Sequence, residues 1–176
     1  MKKIRDFAHD PTDKIDTIGH SIRKIMSIPF DKTIVKRIEN VAFGDLGPDV
    51  LKNIFGDGRI FSHFIERVLA QDYGLTHVTG CKGHDIVDPS NPEIKYEQKT
   101  FTQNGCKFMP SNMIGQGRQF DKTVFHEKAR NLNYIIVSNV AFPELKIRFV
   151  KGVDLISRYP NGVISMKQHD IFFGTV

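Results

Sequence analysis

The apolar positions of the first seventy or so residues recur at three- and four-residue steps, which is the spacing of one face of a helix. Isoleucines at this spacing predict a first helix over residues 13–29 and a second over 34–44. A proline at a favourable first position opens a third over 48–56, and a broad apolar stripe marks a fourth over 60–73. We therefore predict a helical N-terminal region over residues 1–58.

Beyond residue 74 the apolar pattern changes from helical to alternating, as it does in strands. Strands are predicted over residues 76–79, 85–87 and 93–101, the last two joined by a turn rich in proline, aspartate and asparagine. A loop follows over residues 104–118 and a helix over 120–131. Two strands over 134–137 and 145–150 and a short helix over 153–159 come next. This order predicts an α/β fold with an α+β leaning, in which a central mixed β-sheet is flanked by helices.

Length and hydropathy favour one folded domain. A chain of 176 residues buries enough apolar surface to fold as a single domain over residues 1–176 without disulfides or a structural metal. We divide it into the helical region, a core over 59–150 and a C-terminal extension over 151–176.

No apolar run approaches the ~20 residues that cross a bilayer, and the start of the chain lacks the apolar segment of a signal peptide. We expect a soluble, cytoplasmic protein that does not contact a membrane.

The formal net charge of +5 is distributed unevenly along the chain. Residues 40–97 carry nine acidic and five basic side chains, whereas residues 98–130 carry six basic and two acidic ones. Residues 1–39 and 131–176 are also net positive. A mildly basic chain favours a polyanionic partner only weakly. The concentration of carboxylates between basic flanks is a more specific feature than the net charge. It raises the question of which chemistry requires carboxylates there.

Three residues of the central part of the chain form a pattern suited to phosphodiester chemistry. Asp85 opens a short apolar strand, and Glu97 and Lys99 lie two residues apart, hence on one face, of the next strand. Two carboxylates are able to hold Mg²⁺, which activates a bound water and neutralises charge on phosphoryl oxygens. A neighbouring lysine is able to orient or deprotonate that water. From the residues alone, the alternative is an ordinary surface hairpin with paired Glu and Lys side chains.

At these positions the sequence resembles the PD-(D/E)xK nuclease superfamily, and in particular its small Type II restriction endonucleases. Asp85 matches the first acidic residue of the motif, Glu97 the second and Lys99 the lysine. Gln98 occupies the variable position between the last two. His84 stands where the family usually has a proline before the first acidic residue. The predicted surroundings match as well, with a helix before the motif and a helix and a buried strand after it.

The resemblance extends over about residues 59–140 and implies a restriction-endonuclease-like fold with an Mg²⁺ site in which Mn²⁺ is able to substitute. It implies that Asp85 and Glu97 are metal ligands, with the main-chain carbonyl of Gln98 as a further one. In many members a carboxylate of the preceding helix supports the metal, a role that Glu66 would fill here. From the residues alone, Glu66 is equally compatible with an exposed side chain paired with a nearby arginine.

Polar and basic residues near the motif are candidates for contacts with double-stranded DNA. Arginine, asparagine and glutamine read base edges most often, and lysine and serine hold phosphates. Gly115 and Gly117, in the loop over residues 104–118, would allow the backbone to approach a ligand closely. The predicted DNA-binding residues are Lys82, Lys107, Ser111, Asn112, Gln116, Arg118 and Lys122. A purely structural loop over residues 104–118 is the alternative.

The leading hypothesis is an Mg²⁺-dependent Type II restriction endonuclease that cuts double-stranded DNA and leaves 5′-phosphate ends. Such enzymes usually act on palindromes as homodimers, because a two-fold protein matches a two-fold site. Residues 1–58 would then supply the dimer contact or arms around DNA, and residues 59–150 the catalytic core. No nucleotide cofactor is expected, since the glycine-rich loop is far from the Walker pattern. The alternatives are a structure-specific or repair nuclease of the same superfamily and a non-catalytic DNA-binding module.

Overall fold

A six-stranded mixed β-sheet organises the part of the chain that the computed structural model describes, residues 27–39, 44–80 and 83–174. The strands are, in chain order, β1 (Thr33–Arg37), β2 (Thr76–His77), β3 (Ile86–Asp88), β4 (Asn91–Phe101), β5 (Cys106–Lys107), β6 (Asn133–Ser138), β7 (Glu144–Lys151) and β8 (Val163–Ile164). The helices are α1 (Pro48–Gly56), α2 (Gly58–Tyr73), α3 (Lys122–Arg130), α4 (Gly152–Arg158) and α5 (His169–Phe173). Short 3₁₀ segments lie at Ser111–Met113 and Met166–Gln168. In these ranges, no helix combines the length and the apolar character that a membrane crossing requires.

The sheet has the strand order β1-β7-β6-β4-β3-β2, which places β4 in its interior. β4 pairs in parallel with β6 and antiparallel with β3, and the other pairings of this sheet are antiparallel. α3 lies in the crossover that joins the two parallel strands. A second, two-stranded sheet joins β5 to β8. The predicted mixed sheet is confirmed for the described residues.

Each face of the sheet carries its own apolar core, because side chains along a strand alternate between the two faces. One core joins α1 and α2 to the sheet through residues that include Phe55, Phe61, Ile65, Leu69, Ile135 and Val137. The other core joins α3, α4 and α5 to it through residues that include Phe125, Leu155, Phe172, Tyr134 and Ile136. β6 thus contributes alternate residues to both cores. Helices flank the sheet on both faces, as predicted.

The local sequence explains where α2 begins and ends and which of its faces packs on the sheet. Its N-cap is Asp57, whose carboxylate accepts a hydrogen bond from the main-chain N–H of Arg59 at 2.8 Å. Gly74 ends the helix in the left-handed conformation, with φ at 64°. The apolar stripe between these ends faces the sheet, and Glu66 is buried with it. The pattern that predicts the helix therefore also brings a carboxylate to the sheet.

The second predicted helix, over residues 34–44, is wrong where the structure describes it. Residues Thr33–Arg37 form β1, which pairs antiparallel with β7. Ile34 and Ile38 are four residues apart, a separation that places side chains on one face of a helix and also on one face of a strand. Both pack on the core on the α2 side of the sheet. The three β-branched residues at the start of β1 favour the strand, and the edge of β7 supplies its main-chain partners.

The helical N-terminal region is only partly confirmed. Residues 1–26 and 40–43 lie outside the described residues, and with them nearly all of the first predicted helix. In the described part of residues 1–58, α1 is confirmed, whereas residues 27–39 are strand and connecting chain. The fourth predicted helix is α2, and the later helices and strands are confirmed with bounds that differ by a few residues.

The described part of the predicted C-terminal extension (151–176), residues 151–174, packs into the molecule. It contributes buried residues to the core on the α3 side of the sheet, among them Leu155, Ile164 and Phe172. The sequence pattern does not predict β8 and α5, because both are too short to show a period. A buried hydrogen bond of 2.9 Å joins His169 Nε2 in α5 to Ser138 Oγ at the end of β6, and His169 Nδ1 lies 2.8 Å from Asp170 Oδ1.

We predict that Gly152→Ala destabilises the fold by about 3 kcal/mol or more, the upper end of what overpacking costs. A Cβ at this position would lie 1.8 Å from the Ala129 carbonyl oxygen, where α4 begins against the end of α3. Gly56→Ala is the matched control, because Gly56 is also helical and a Cβ there meets no atom within 4 Å. In urea denaturation followed by circular dichroism, the control should stay near wild type or gain up to about 1 kcal/mol. Equal midpoints for the two variants would contradict this packing.

Candidate active site

Main-chain hydrogen bonds fix Asp85 beside β4. This residue immediately precedes β3, which pairs antiparallel with β4 through Ile86 and Tyr96. The Asp85 N–H donates to the Tyr96 carbonyl at 3.0 Å, and the Asp85 carboxylate accepts from the Gln98 N–H at 2.8 Å. The carboxylate therefore lies against the peptide that joins Glu97 to Gln98, although a complete hairpin turn separates these residues in sequence.

Glu97 and Lys99 share one face of β4, as their spacing predicts. Lys99 Nζ donates to Glu97 Oε1 at 2.7 Å, and the two side chains are only 18% and 17% exposed. β3 supports β4 on one side and β6 on the other, where Glu97 lies opposite Tyr134 and Lys99 opposite Ile136. The pair therefore belongs to an interior strand of a larger sheet, and the exposed hairpin that the residues alone allowed is not found.

Glu66 approaches the same region from α2. Its side chain is 11% exposed, and its Oε2 lies 3.0 Å from Nε2 of His77 in β2. The neighbouring Arg67 guanidinium donates instead to the His63 carbonyl at 2.6 Å. The exposed glutamate paired with an arginine, which the sequence also allowed, is therefore not found. The Glu66–His77 contact joins the helix to the edge of the sheet.

Burial and mutual repulsion raise the pKa values of two of these carboxyl groups. Burial raises the pKa of Glu97, the Lys99 ammonium acts in the opposite direction, and the charges of Asp85 and Glu66 raise the pKa further. Burial also raises the pKa of Glu66, with a second contribution from the charge of Asp85, and His77 opposes both. Two carboxyl groups, those of Glu66 and Glu97, thus lie in a poorly solvated region beside the charge of a third, Asp85. A bound cation would favour their charged forms.

An open cleft of about 860 Å³ brings the candidate residues together. Its lining includes all five residues predicted to be catalytic or to bind metal, namely Glu66, Asp85, Glu97, Gln98 and Lys99. Other polar residues of the lining come from α1, from α2 and from the turn after β4, and include Lys52, Asn53, Arg59, Ser62, Gln103 and Asn104. The cleft is thus suited to a charged ligand that makes many hydrogen bonds.

Sequence reasoning missed the cleft residues of α1, of the start of α2 and of the turn after β4. Lys52 and Arg59 carry a signal that could have been used, since they are basic residues in an otherwise acidic segment. The turn is closed by paired main-chain hydrogen bonds between Thr102 and Gly105, at 3.1 and 2.9 Å. Only the folded chain places this turn beside the carboxylates, so its two central amide side chains had no signal of their own.

The structure places the predicted DNA-binding residues in different surroundings. Ser111 lines the cleft. The cleft lining, within the described chain, does not include the exposed residues Lys107, Asn112, Gln116, Arg118 and Lys122. The Arg118 guanidinium donates to the Ser111 main-chain carbonyl, which folds this loop back on itself. Lys82 lies outside the described residues.

The donor set suits a cation that takes oxygen ligands and keeps part of its water. Among residues 27–39, 44–80 and 83–174, no group of three or more His, Cys, Asp and Glu side chains could hold a metal by itself. Closed structural metal sites need such a group. Mg²⁺, in contrast, commonly binds through one or two carboxylates and retains several waters. Asp85 and Glu97 could provide these two carboxylates, because the Gln98 peptide holds one beside the other.

The cleft combines groups for cation binding and for proton transfer, two of them on β4 and the third immediately before β3. An ammonium and two carboxylates, from Lys99, Glu97 and Asp85, are accessible to the same ligand. No protein-family model, curated protein or solved structure matches this chain. The chemistry of the cleft is therefore argued from these side chains and their contacts.

We predict that Asp85→Asn raises the melting midpoint of the metal-free protein at neutral pH by about 3 °C, the shift that roughly 1 kcal/mol produces in a chain of this length. Asparagine keeps an oxygen for the Gln98 N–H but removes the charge that raises the pKa values of Glu66 and Glu97. A carboxyl group whose pKa is raised by folding costs stability as the pH rises above its ordinary value of 4.5. The advantage of the variant should therefore shrink as the pH falls towards that value.

Asp88→Asn is the control for this experiment and should change stability in the opposite direction. The Asp88 carboxylate accepts hydrogen bonds from the Ser90 hydroxyl at 2.6 Å and the Ser90 N–H at 2.8 Å, and these contacts lower its pKa. Its charged form therefore stabilises the fold above the ordinary pKa of aspartate. Thermal denaturation in EDTA over a series of pH values measures both variants. A lower midpoint for Asp85→Asn at neutral pH would show that repulsion between carboxylates is not the dominant effect.

Proposed function

We propose that this protein is an Mg²⁺-dependent endonuclease that cuts double-stranded DNA at specific sequences, a Type II restriction enzyme of the PD-(D/E)xK kind. The observation that carries the proposal is the meeting of Asp85, Glu97 and Lys99 in one open cleft. Two carboxylates and a lysine at one place are the set that the motif requires. The order of elements, with α2 before these residues and α3 and β6 after them, supports a restriction-endonuclease-like core.

The five residues predicted to be catalytic or to bind metal have separate roles in the proposed reaction. Asp85 and Glu97 would hold the metal together with the Gln98 main-chain carbonyl, and Glu66 would support them from α2. When bound, Mg²⁺ or its substitute Mn²⁺ would neutralise charge on the phosphate and lower the pKa of a water. Lys99 orients or deprotonates the attacking water and offsets the negative charge that develops on the phosphate. In-line attack of the water on phosphorus would break the bond from phosphorus to the 3′ oxygen, so that one product keeps a 5′-phosphate and the other leaves with a 3′-hydroxyl.

The polar rim of the cleft is the proposed contact surface for DNA. Lys52 and Arg59 would meet phosphates on the side of α1 and α2, because lysine and arginine supply most backbone contacts. Gln103 and Asn104 would present amides to base edges, where such side chains pair best with adenine. Cleavage of both strands of a palindrome would require two copies of the chain, so a homodimer acting on DNA in the cytoplasm is part of the proposal.

We predict discrete fragments when a sequenced plasmid is incubated with the protein and Mg²⁺ or Mn²⁺, and none in EDTA. Lys99→Met should lower the cleavage rate at least about 10²-fold, within the range that a positioned acid or base contributes. Lys95→Met is the matched control, because Lys95 shares the strand and the face with Lys99. Within the described chain Lys95 is not a cleft residue, and its ammonium lies 3.7 Å from Glu93. Gel electrophoresis and sequencing of the fragment ends give the rate and the site.

The products of this digest distinguish the candidate functions. Equal rates for Lys99→Met and Lys95→Met would overturn the role of Lys99. Cleavage without a fixed banding pattern would favour a structure-specific or repair nuclease. A third outcome is that the protein binds DNA without cutting it. An affinity that depends steeply on salt and not on Mg²⁺ would then favour a non-catalytic DNA-binding module.

We predict that Lys52→Ala weakens binding to duplexes of every sequence by a similar factor and lowers the slope of log affinity against log salt by about 0.9, the loss of one phosphate contact. Fluorescence anisotropy on a Lys99→Met background measures binding while the duplex stays intact. Lys32→Ala is the control. Lys32 is exposed, precedes β1 and, within the described chain, is not among the residues that line the cleft. A slope that changes in Lys122→Ala and not in Lys52→Ala would move the DNA surface to the loop before α3.

A further inference from the structure

His77 and Glu66 form a largely buried contact beside the cleft. Glu66 Oε2 lies 3.0 Å from His77 Nε2. Because an ionised carboxylate only accepts hydrogen bonds, Nε2 is the donor of this pair. In residues 27–39, 44–80 and 83–174, no second hydrogen bond to the Glu66 carboxylate is found. His77 thus holds one oxygen of Glu66, and no donor of these ranges holds the other.

Strand pairing places His77 next to Asp85. In β2, His77 lies opposite Ile86, the residue that follows Asp85. The Cα atoms of residues opposed in this way lie about 4.5–5.5 Å apart. The Val78 N–H donates to the Asp85 carbonyl at 2.8 Å, so main-chain hydrogen bonds hold the two segments together. His77 therefore connects Glu66 of α2 to the strand pair that positions Asp85.

The cleft can be reached from the α2 side, because β3 pairs with β4 only as far as Tyr96. Beyond that residue the edge of β4 borders the cleft, whose lining takes Glu97 from one face of the strand and Gln98 from the other. Glu66 joins this lining from α2. After burial, the charge of Asp85 is the largest cause of the raised pKa of Glu66. The two carboxylates are therefore close enough to interact.

Packing alone does not account for a glutamate at this position of α2. Glu66 is the only acidic residue that is buried in the described part of the chain. A buried carboxylate costs free energy even when a hydrogen bond compensates part of it, and an apolar side chain would pack there without that cost. A bound cation would offset the cost. A carboxylate that is held in place beforehand also loses less conformational freedom when a ligand binds.

We propose that His77 is a positioning residue of the cation site, because it holds one oxygen of Glu66 and so presents the other to the divalent cation in the cleft. This inference rests on the proposed function, since it requires that cation. Within the described chain His77 does not line the cleft, so it acts through Glu66. Removal of a hydrogen-bonded group around a metal site typically lowers metal affinity about 10–100-fold.

Calorimetric titration of the full chain with Mn²⁺ alone tests the inference with two amide variants. Glutamine carries its amide nitrogen about where histidine carries Nε2, whereas the shorter asparagine carries it about where histidine carries Nδ1. His77→Asn should therefore raise the dissociation constant for Mn²⁺ about 10-fold or more, and His77→Gln should restore most of the wild-type affinity. Circular dichroism in EDTA compares the folding of the two variants with that of wild type.

A double-mutant cycle measures whether His77 acts through Glu66. Glu66→Ala should weaken Mn²⁺ binding by itself, and His77→Asn should have no further effect in that background. His63→Asn is the matched control, because His63 also lies on α2 and its charge also lowers the pKa of Glu66, but it makes no hydrogen bond to that carboxylate. The Mn²⁺ affinity of His63→Asn should stay close to that of wild type.

Mn²⁺ binding as tight as in wild type by either His77→Asn or Glu66→Ala would overturn the inference and leave the proposed function standing. Equal losses in His77→Asn and His77→Gln would also overturn it. A loss caused by His77→Asn that persists in the Glu66→Ala background would do the same, because it would assign His77 a purely structural role. A wild-type protein that binds neither Mn²⁺ nor Mg²⁺ would overturn both the inference and the proposed function.

Discussion

The geometry of the cleft depends on one hydrogen bond, from the Gln98 main-chain N–H to the Asp85 carboxylate at 2.8 Å. A strand residue usually gives its N–H to the next strand, whereas here a side chain accepts it where the β3–β4 pairing reaches its end. The Asp85 carboxylate thus takes the place of a strand neighbour. It lies beside Glu97 in spite of the repulsion between the two charges, because its hydrogen bond is made to the backbone of the same strand.

The two apolar cores make this crowding of charges tolerable. α2 packs on one face of the sheet and α3, α4 and α5 on the other, so that β4 is enclosed from both sides. Burial on this scale stabilises the chain by much more than the repulsion of a few carboxylates costs. The acidic cluster is therefore a local loss of stability that the rest of the fold offsets, as is common at sites adapted for binding or catalysis.

The extent to which sequence predicts this structure depends on how local each signal is. The stripe of α2 and the alternation of β4 are local, and so is the two-residue spacing that places Glu97 and Lys99 on one face. The helix predicted over β1 is wrong because the spacing of Ile34 and Ile38 suits a helix and a strand equally. The β-branched residues favour the strand only weakly, and pairing with β7 decides for it. The cleft residues of α1 and of the turn after β4 meet the carboxylates through tertiary packing, which leaves no periodic trace in the sequence.

Ser138, His169 and Asp170 are joined in the same order as the nucleophile, base and acid of serine hydrolases. Ser138 is 2% exposed and His169 7%, and the rings of Phe101 and Phe173 lie 5.0 Å from the imidazole. A hydroxyl buried in this way cannot reach a substrate, so these hydrogen bonds serve to hold α5 against the end of β6. Solvent access, rather than the arrangement of the atoms, distinguishes this buried group from the open cleft. A search for catalytic constellations by distance alone would not distinguish the two.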